Sequence, residues 1–196
     1  MSEKELVARA QAGDFDAFSA LVTANKTKIY ALAVKMTGNS EDADDVVQDT
    51  LVKAIDNIEH FRGESSFGTW LYSIALNQTR ALLSKKKQTD LKPIEEYLPS
   101  QPGQSLDEHN NSKLFDWKDP HAALEDQELK EIIDRELAAL PYKYREAFLL
   151  KYYEELPIKE IAKIINESVA STKSRVLRAR LALRERLAEI FEEQYG

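Results

Sequence analysis

Apolar residues recur at every third or fourth position through most of this chain and nowhere alternate singly with polar ones. That period belongs to helices with one buried face, and it excludes a half-buried sheet. The period lapses only between residues 89 and 119. There Pro93, Pro99, Pro102, Gly103, Asn110 and Asn111 punctuate a polar stretch rich in acids (Glu95, Glu96, Asp107, Glu108, Asp116, Asp119). The expected architecture is therefore all-α: two small helical domains, 1–88 and 120–196, joined by a flexible acidic linker over 89–119. Leu114-Phe115-Asp116-Trp117 is an apolar island in that linker, suited to docking on either domain or on a partner.

The most informative stretch lies near the end. Pro157 suits the first position of a helix, and Ile158, Ile161, Ala162 and Ile165 then fall on one face. Asn166-Glu167-Ser168 interrupts the period: Asn tolerates a left-handed backbone and Ser can cap the next helix. That helix carries Val169, Thr172, Val176 and Ala179 on one side, and Lys173, Ser174, Arg175, Arg178 and Arg180 on the others. Two short helices with a tight turn and a basic second helix are what a helix-turn-helix requires. An amphipathic hairpin with a solvated basic face fits the same pattern. Charge favours nucleic acid: from Lys173 to Arg186 the cations Lys173, Arg175, Arg178, Arg180, Arg184 and Arg186 meet a single acid, Glu185, in a chain of net charge −7.

The first half reads as four helices. Ser2-Glu3-Lys4-Glu5 has capping-box spacing before a short helix that stops at Gly13. Asp14 opens a second, with Phe18, Leu21, Val22, Ile29, Leu32, Ala33 and Met36 inside and Gly38 at its end. Ser40 is expected to cap a third, with Ala43, Val46, Val47, Thr50, Leu51, Ala54, Ile55 and Ile58 inside and Asp44, Asp45, Gln48, Asp49 and Lys53 outside. Phe61 to Ser66 is a loop with Gly63 as its pliable point. A fourth helix runs from about Ser66 to Lys87, its core face Phe67, Leu71, Ile74, Ala75, Gln78 and Leu82. Trp70, Ser73, Asn77, Arg80 and Ser84 form a second stripe that Lys85-Lys86-Lys87 closes. Such a line can stack on unpaired bases and hold phosphates, although Trp70 is equally explicable as core. In the second half Pro120 restarts helix, and Leu124, Leu129, Ile132, Ile133, Leu137 and Leu140 keep helical spacing.

Composition excludes other classes. Hydrophobic content of 43% supports a packed core. No run reaches the ~18 apolar residues of a membrane span, so no membrane insertion is expected. The N-terminus lacks the pattern of a signal peptide, and the absence of cysteine removes disulfides and thiolate metal sites; both suit a cytoplasmic protein. His60, His109 and His121 are isolated, and no Gly-rich phosphate loop or nucleophile–base arrangement occurs. Neither an enzyme nor a cofactor or metal is expected.

Both halves resemble one family. Asp42 to Ala54, Phe61 to Asn77 and Leu140 to Leu187 are similar, in this order, to regions 2.2, 2.3–2.4 and 4 of the extracytoplasmic-function (ECF) sigma factors of bacteria. The resemblance implies a transcription initiation factor whose partners are core RNA polymerase (the β′ clamp helices and the β flap), promoter DNA and an anti-sigma factor. It implies polymerase contacts by Asp44, Asp45, Gln48, Asp49 and Lys53. It implies −10 contacts by Phe61, Arg62, Gly63, Ser65, Trp70, Asn77 and Arg80, the loop cradling a flipped base. It implies −35 contacts by Ser171, Lys173, Ser174, Arg175, Leu177 and Arg178, with Arg175 and Arg180 suited also to phosphates or pairing within the domain. Ser73, Leu76 and Ala81 depart from the family pattern, as do Ala170-Ser171-Thr172 at the opening of the recognition helix and Pro157 before it. Two rival readings are a stand-alone helix-turn-helix regulator and an interaction protein that keeps the domains without promoter melting.

Overall fold

The computed structural model describes residues 1–86 and 127–195. Among these every regular element is helical: α1 (Glu3–Gln11), α2 (Phe15–Thr37), α3 (Ser40–Asn57), a 3-10 turn (Ile58–His60), α4 (Phe67–Lys85), α5 (Gln127–Ala139), α6 (Tyr142–Tyr152), α7 (Ile158–Ile164) and α8 (Val169–Tyr195). The described residues form two compact units. One holds 1–86 with Lys159–Ser168, the other 127–158 with 169–195. The expected linker, the helix restart at Pro120, Leu124 and Lys87 lie outside the described residues.

In the first unit α2 packs on α1, α3 and α4, and α3 also packs on α4. Ser2 and Glu5 form the capping box, each side chain bonded to the other's backbone N–H. Asp14 caps α2 by accepting from Ala17 N. Gly38, at φ 81°, ends α2 with its N–H on Val34 O; a side chain there would strain the left-handed turn. The cap of α3 is Asn39, not Ser40: its Oδ1 accepts from Asp42 N.

The core of α4 is wider than one stripe. Phe67, Leu71 and Ala75 are buried as expected, but so are Thr69, Tyr72, Leu76, Thr79 and Leu83, whereas Ile74, Gln78 and Leu82 are only half-buried. The cause is position: α4 packs against both α2 and α3, so two of its faces are covered. On α3, Ala43, Val46, Val47, Thr50 and Ala54 are buried, Leu51 is half-buried and Ile55 is exposed, against expectation.

In the second unit α6 and α5 both pack on α8. All seven residues from Tyr144 to Leu150 are buried, Arg145 and Glu146 included, so α6 is enclosed on every side. Arg145 places its guanidinium on the C-terminal carbonyls of the α5 segment, Ala138 O and, at 3.0 Å, Leu140 O. The last carbonyls of a helix lack donor partners within it, and the guanidinium supplies a donor to these two.

Candidate functional site

The site residues fall on three surfaces. The first is the outer face of α3. Asp44, Asp45, Gln48, Asp49 and Lys53 are all exposed there, and so are Val52 and Ile55. Ala43, Val46, Val47 and Ala54 anchor the opposite face, so the helix cannot roll its acids inward without exposing its core side. The acids therefore form a fixed negative strip bearing two aliphatic side chains. A strip of that kind is complementary in charge to a cationic surface with some apolar area.

The strip has an internal anchor. Asp42, one turn before Val46, is buried, and its carboxylate is bonded to the Lys86 ammonium and, at 2.8 Å, to the Asn39 amide. The Lys86 bond, then the Asn39 bond, hold the Asp42 carboxyl below the usual carboxylate range; Asp42 in turn raises Lys86. Lys86 thus ties the end of α4 to the start of α3, although its side chain remains 48% exposed. Periodicity groups it with the basic stripe, because a local pattern cannot see an ion pair between residues 44 positions apart.

The second surface is the loop Phe61 to Ser66 with the outer stripe of α4. Arg62, Gly63 and Glu64 are exposed and Ser65 is half-buried. Gly63 holds φ 69°. The Phe61 ring is only 8% exposed and lies against Phe67 (centroids 5.9 Å, 85°) and Trp70 (5.1 Å, 36°). Phe18 completes this cluster at 6.4 Å from Phe67. Gln11 donates to both Ile58 O (3.1 Å) and Phe61 O (2.8 Å), and Glu3 accepts from Phe67 N (3.0 Å). Helix α1 therefore clamps both ends of the loop, a role that no local motif in Glu3 or Gln11 announces. Ser66 caps α4 through Thr69 N at 3.0 Å. Farther along α4, Asn77 is exposed, Arg80 is half-buried and donates to Asn77 Oδ1 at 2.9 Å, and Trp70 is half-buried. The loop is thus a pliable, polar tip between two rigidly held stems.

The third surface is on α8. Thr172, Val176, Ala179, Ala182 and Leu183 are buried; Lys173, Ser174 and Arg178 are exposed; Ser171, Leu177 and Arg180 are half-buried. Val169, expected inside, is 40% exposed. Not every cation faces out. Arg175 is paired with the buried Glu146 of α6 at 3.5 Å, and Arg186 with the buried Glu136 of α5 at 3.3 Å. Lys173 and Arg178 are exposed and make no ion pair with another described residue. Ahead of this helix, α7 ends at the Asn-Glu-Ser break expected from the sequence. Asn166 adopts φ 54°, with Glu167 N on Ala162 O (2.9 Å) and Asn166 N on Lys163 O (3.3 Å). That is the paired closure of a helix by a left-handed residue. Pro157 precedes the first helical residue, Ile158, instead of occupying it.

Comparison with known proteins matches the same segments. The family model "Sigma-70 region 2" matches residues 21–89 and "Sigma-70, region 4" matches residues 130–183. The chain is 35% identical to the ECF RNA polymerase sigma factor SigW of Bacillus subtilis over 191 residues, 97% of this chain and 99% of that protein. It is 30% identical to the RNA polymerase sigma-H factor of Pseudomonas aeruginosa, over 97% and 96% of the two chains. Two solved structures share the fold. CnrH in complex with the cytosolic domain of CnrY superposes with a TM-score of 0.63 at 24% identity, over 94% of this chain and 96% of that one. The sigma factor RpoE of Bartonella quintana, with the anti-sigma factor NepR, gives 0.60 at 24% identity over 87% and 96%.

Proposed function

Because this chain belongs to the ECF sigma factors of the sigma-70 family, we propose that it binds core RNA polymerase and directs it to promoters with −35 and −10 elements. The observation that carries this reading is the separation of exposed charge. Asp44, Asp45 and Asp49 stand out on α3, and Lys173 and Arg178 stand out on α8. One protein thus offers an anionic face to a protein partner and a cationic one to DNA.

In this reading α8 enters the major groove. Arg178 is placed to give two parallel hydrogen bonds to a guanine edge; Lys173, Ser174, Leu177 and Ser171 supply further phosphate and base contacts. The −10 element is taken as a single strand. The loop tip, Arg62 to Ser65, receives an unstacked base, since base capture needs a pliable segment beside a pocket. Asn77 and Arg80 then hold the strand along α4. Phe61 and Trp70 support the tip from below, their rings already occupied with each other. Asp45, Gln48, Asp49 and Lys53 meet the β′ clamp helices, and Val52 and Ile55 add apolar contact there. Region 4 would meet the β flap. The boundaries 1–88, 89–119 and 120–196 describe the two working parts and an acidic tether that mimics nucleic-acid charge inside the polymerase channel. An anti-sigma factor would cover the α3 face until a signal removes it; the two structural neighbours were solved in complex with partner proteins of their own. The protein acts in the cytoplasm, as a binding factor and not as an enzyme.

The test is association with purified core polymerase at low ionic strength. The wild-type chain should bind, and Asp45→Lys with Asp49→Lys should weaken binding steeply. Tight operator binding by the free chain, with no affinity for core enzyme, would favour the stand-alone regulator instead.

A further inference from the structure

We propose that Arg175 is a positioning residue: its ion pair with buried Glu146 sets the roll of α8, and so decides which side chains of that helix reach the groove. The proposal rests on the reading of α8 as the DNA-recognition helix. Family resemblance leaves Arg175 open to a −35 contact or to pairing within the domain; the proposal takes the second and gives that pairing a task in recognition.

The geometry separates the two roles. Successive residues step about 100° around a helix. Thr172, Val176, Ala179 and Leu183 therefore form the buried stripe, while Lys173, Ser174 and Arg178 form the exposed one. Arg175 lies on the border between them, with its side chain only 19% exposed, and its Nη1 is 3.5 Å from Glu146 Oε1. The Glu146 side chain is 1% exposed and belongs to α6, the helix most enclosed in its unit. A carboxylate so far from water cannot replace a lost cation with solvent, so removal of the guanidinium is costly. Half of the buried side chains that seat α8 are small, Thr172, Ala179 and Ala182 beside Val176, Leu183 and Leu187, and small side chains interlock weakly against rotation about the helix axis. A directional ionic contact at the edge of such a stripe specifies orientation, which is the best-attested use of buried ion pairs. The planar guanidinium fork is suited to it, and a lysine ammonium is not.

The test uses the full chain with core polymerase on a library randomised at the −35 element, with salt dependence and thermal unfolding measured in parallel. Arg175→Met alone withdraws the cation from Glu146 and should lower promoter-directed initiation about tenfold or more. The loss should spread over several −35 positions, with the salt slope unchanged. Arg175→Met combined with Glu146→Met removes both charges at similar volume and should recover initiation to within roughly threefold of wild type. A double variant that melts like wild type yet stays as poor as the single one overturns the proposal. So does a salt slope reduced by about one, the mark of a lost phosphate contact. If the double variant fails to melt cooperatively, Glu146→Gln decides. A side chain that cannot reach DNA should still blur −35 discrimination, and wild-type discrimination there refutes the idea. A wild-type chain that initiates nowhere sinks the functional reading alone. The pair is then tested by the unfolding cycle: non-additive shifts at positions 146 and 175 uphold the coupling and additive ones refute it.

Discussion

Replacing Phe61 by alanine separates support of the loop from contact with DNA. The ring is 8% exposed and packs at 5.9 Å on Phe67 and 5.1 Å on Trp70. Burial of such a ring contributes about 1.5–3 kcal/mol, and each aromatic contact about 0.5–1.5 kcal/mol beyond that. Large-to-small changes of this type cost about 3–5 kcal/mol in closed cores. Phe61 borders a loop that can partly collapse into the gap, so the lower end applies, ~3 kcal/mol, or roughly a hundredfold in the folding constant. In a domain of 60–100 residues each kilocalorie moves the midpoint by about 4–8 °C, so the first unit should melt about 12–24 °C earlier. Trp70 sits in the cluster and reports on it directly. Trp70 and Trp117 are the chain's two tryptophans, so fluorescence in a Trp117→Phe background isolates the signal. Phe61→Leu keeps most of the apolar area and loses the ring contacts; it should melt only about 1–2 kcal/mol weaker and still open a promoter at temperatures well below its midpoint. A Phe61→Ala protein that melts with wild type but cannot open DNA would mean that the ring serves a base, and the reasoning from the cluster would fail.

The same packing yields three more outcomes. The Asp42 carboxyl is held below its usual range by Lys86 and Asn39, so its stabilising effect is present above the ordinary carboxylate pKa and lost as pH falls through the lowered one. Wild type should therefore melt above Asp42→Asn near pH 7, with the gap closing in melts carried down to about pH 2; a pH-independent gap would contradict the ion pair. Asn166 holds φ 54°, so Asn166→Gly should be nearly neutral in thermal unfolding while Asn166→Val lowers stability by about 1–2 kcal/mol. Equal effects would deny the left-handed turn. Arg178→Ala should cost about 1–3 kcal/mol and relax preference at one −35 position in a base-substitution series, whereas uniform weakening at all sequences would make Arg178 a phosphate contact.

Local pattern made part of this molecule legible in its sequence. The capping box at Ser2 and Glu5, the cap at Asp14, the end at Gly38 and the left-handed Asn166 all depend on neighbours three to five residues away, and all could be read. The exposed acids of α3 and the outward Lys173 and Arg178 follow from helical period alone. The failures share a cause. Leu76 and Thr79 are buried because α4 has neighbours on two sides, and no single-helix period reports a second neighbour. Ile55 reads as core from its place in the helical period, yet the far end of α3 leaves that side chain exposed. Lys86, Gln11 and Glu3 take their roles from partners 44 to 64 residues away. For Arg175 the sequence leaves a −35 contact and pairing within the domain both open, and its pair with a buried acid on another helix supplies the second.

Initiation by core polymerase on a library of genomic fragments, with and without the purified chain, tests the central claim most directly. The account predicts new start sites that depend on the chain, share a −35 and a −10 element, and disappear when Asp45 and Asp49 are reversed in charge. Start sites identical with and without the chain would contradict it.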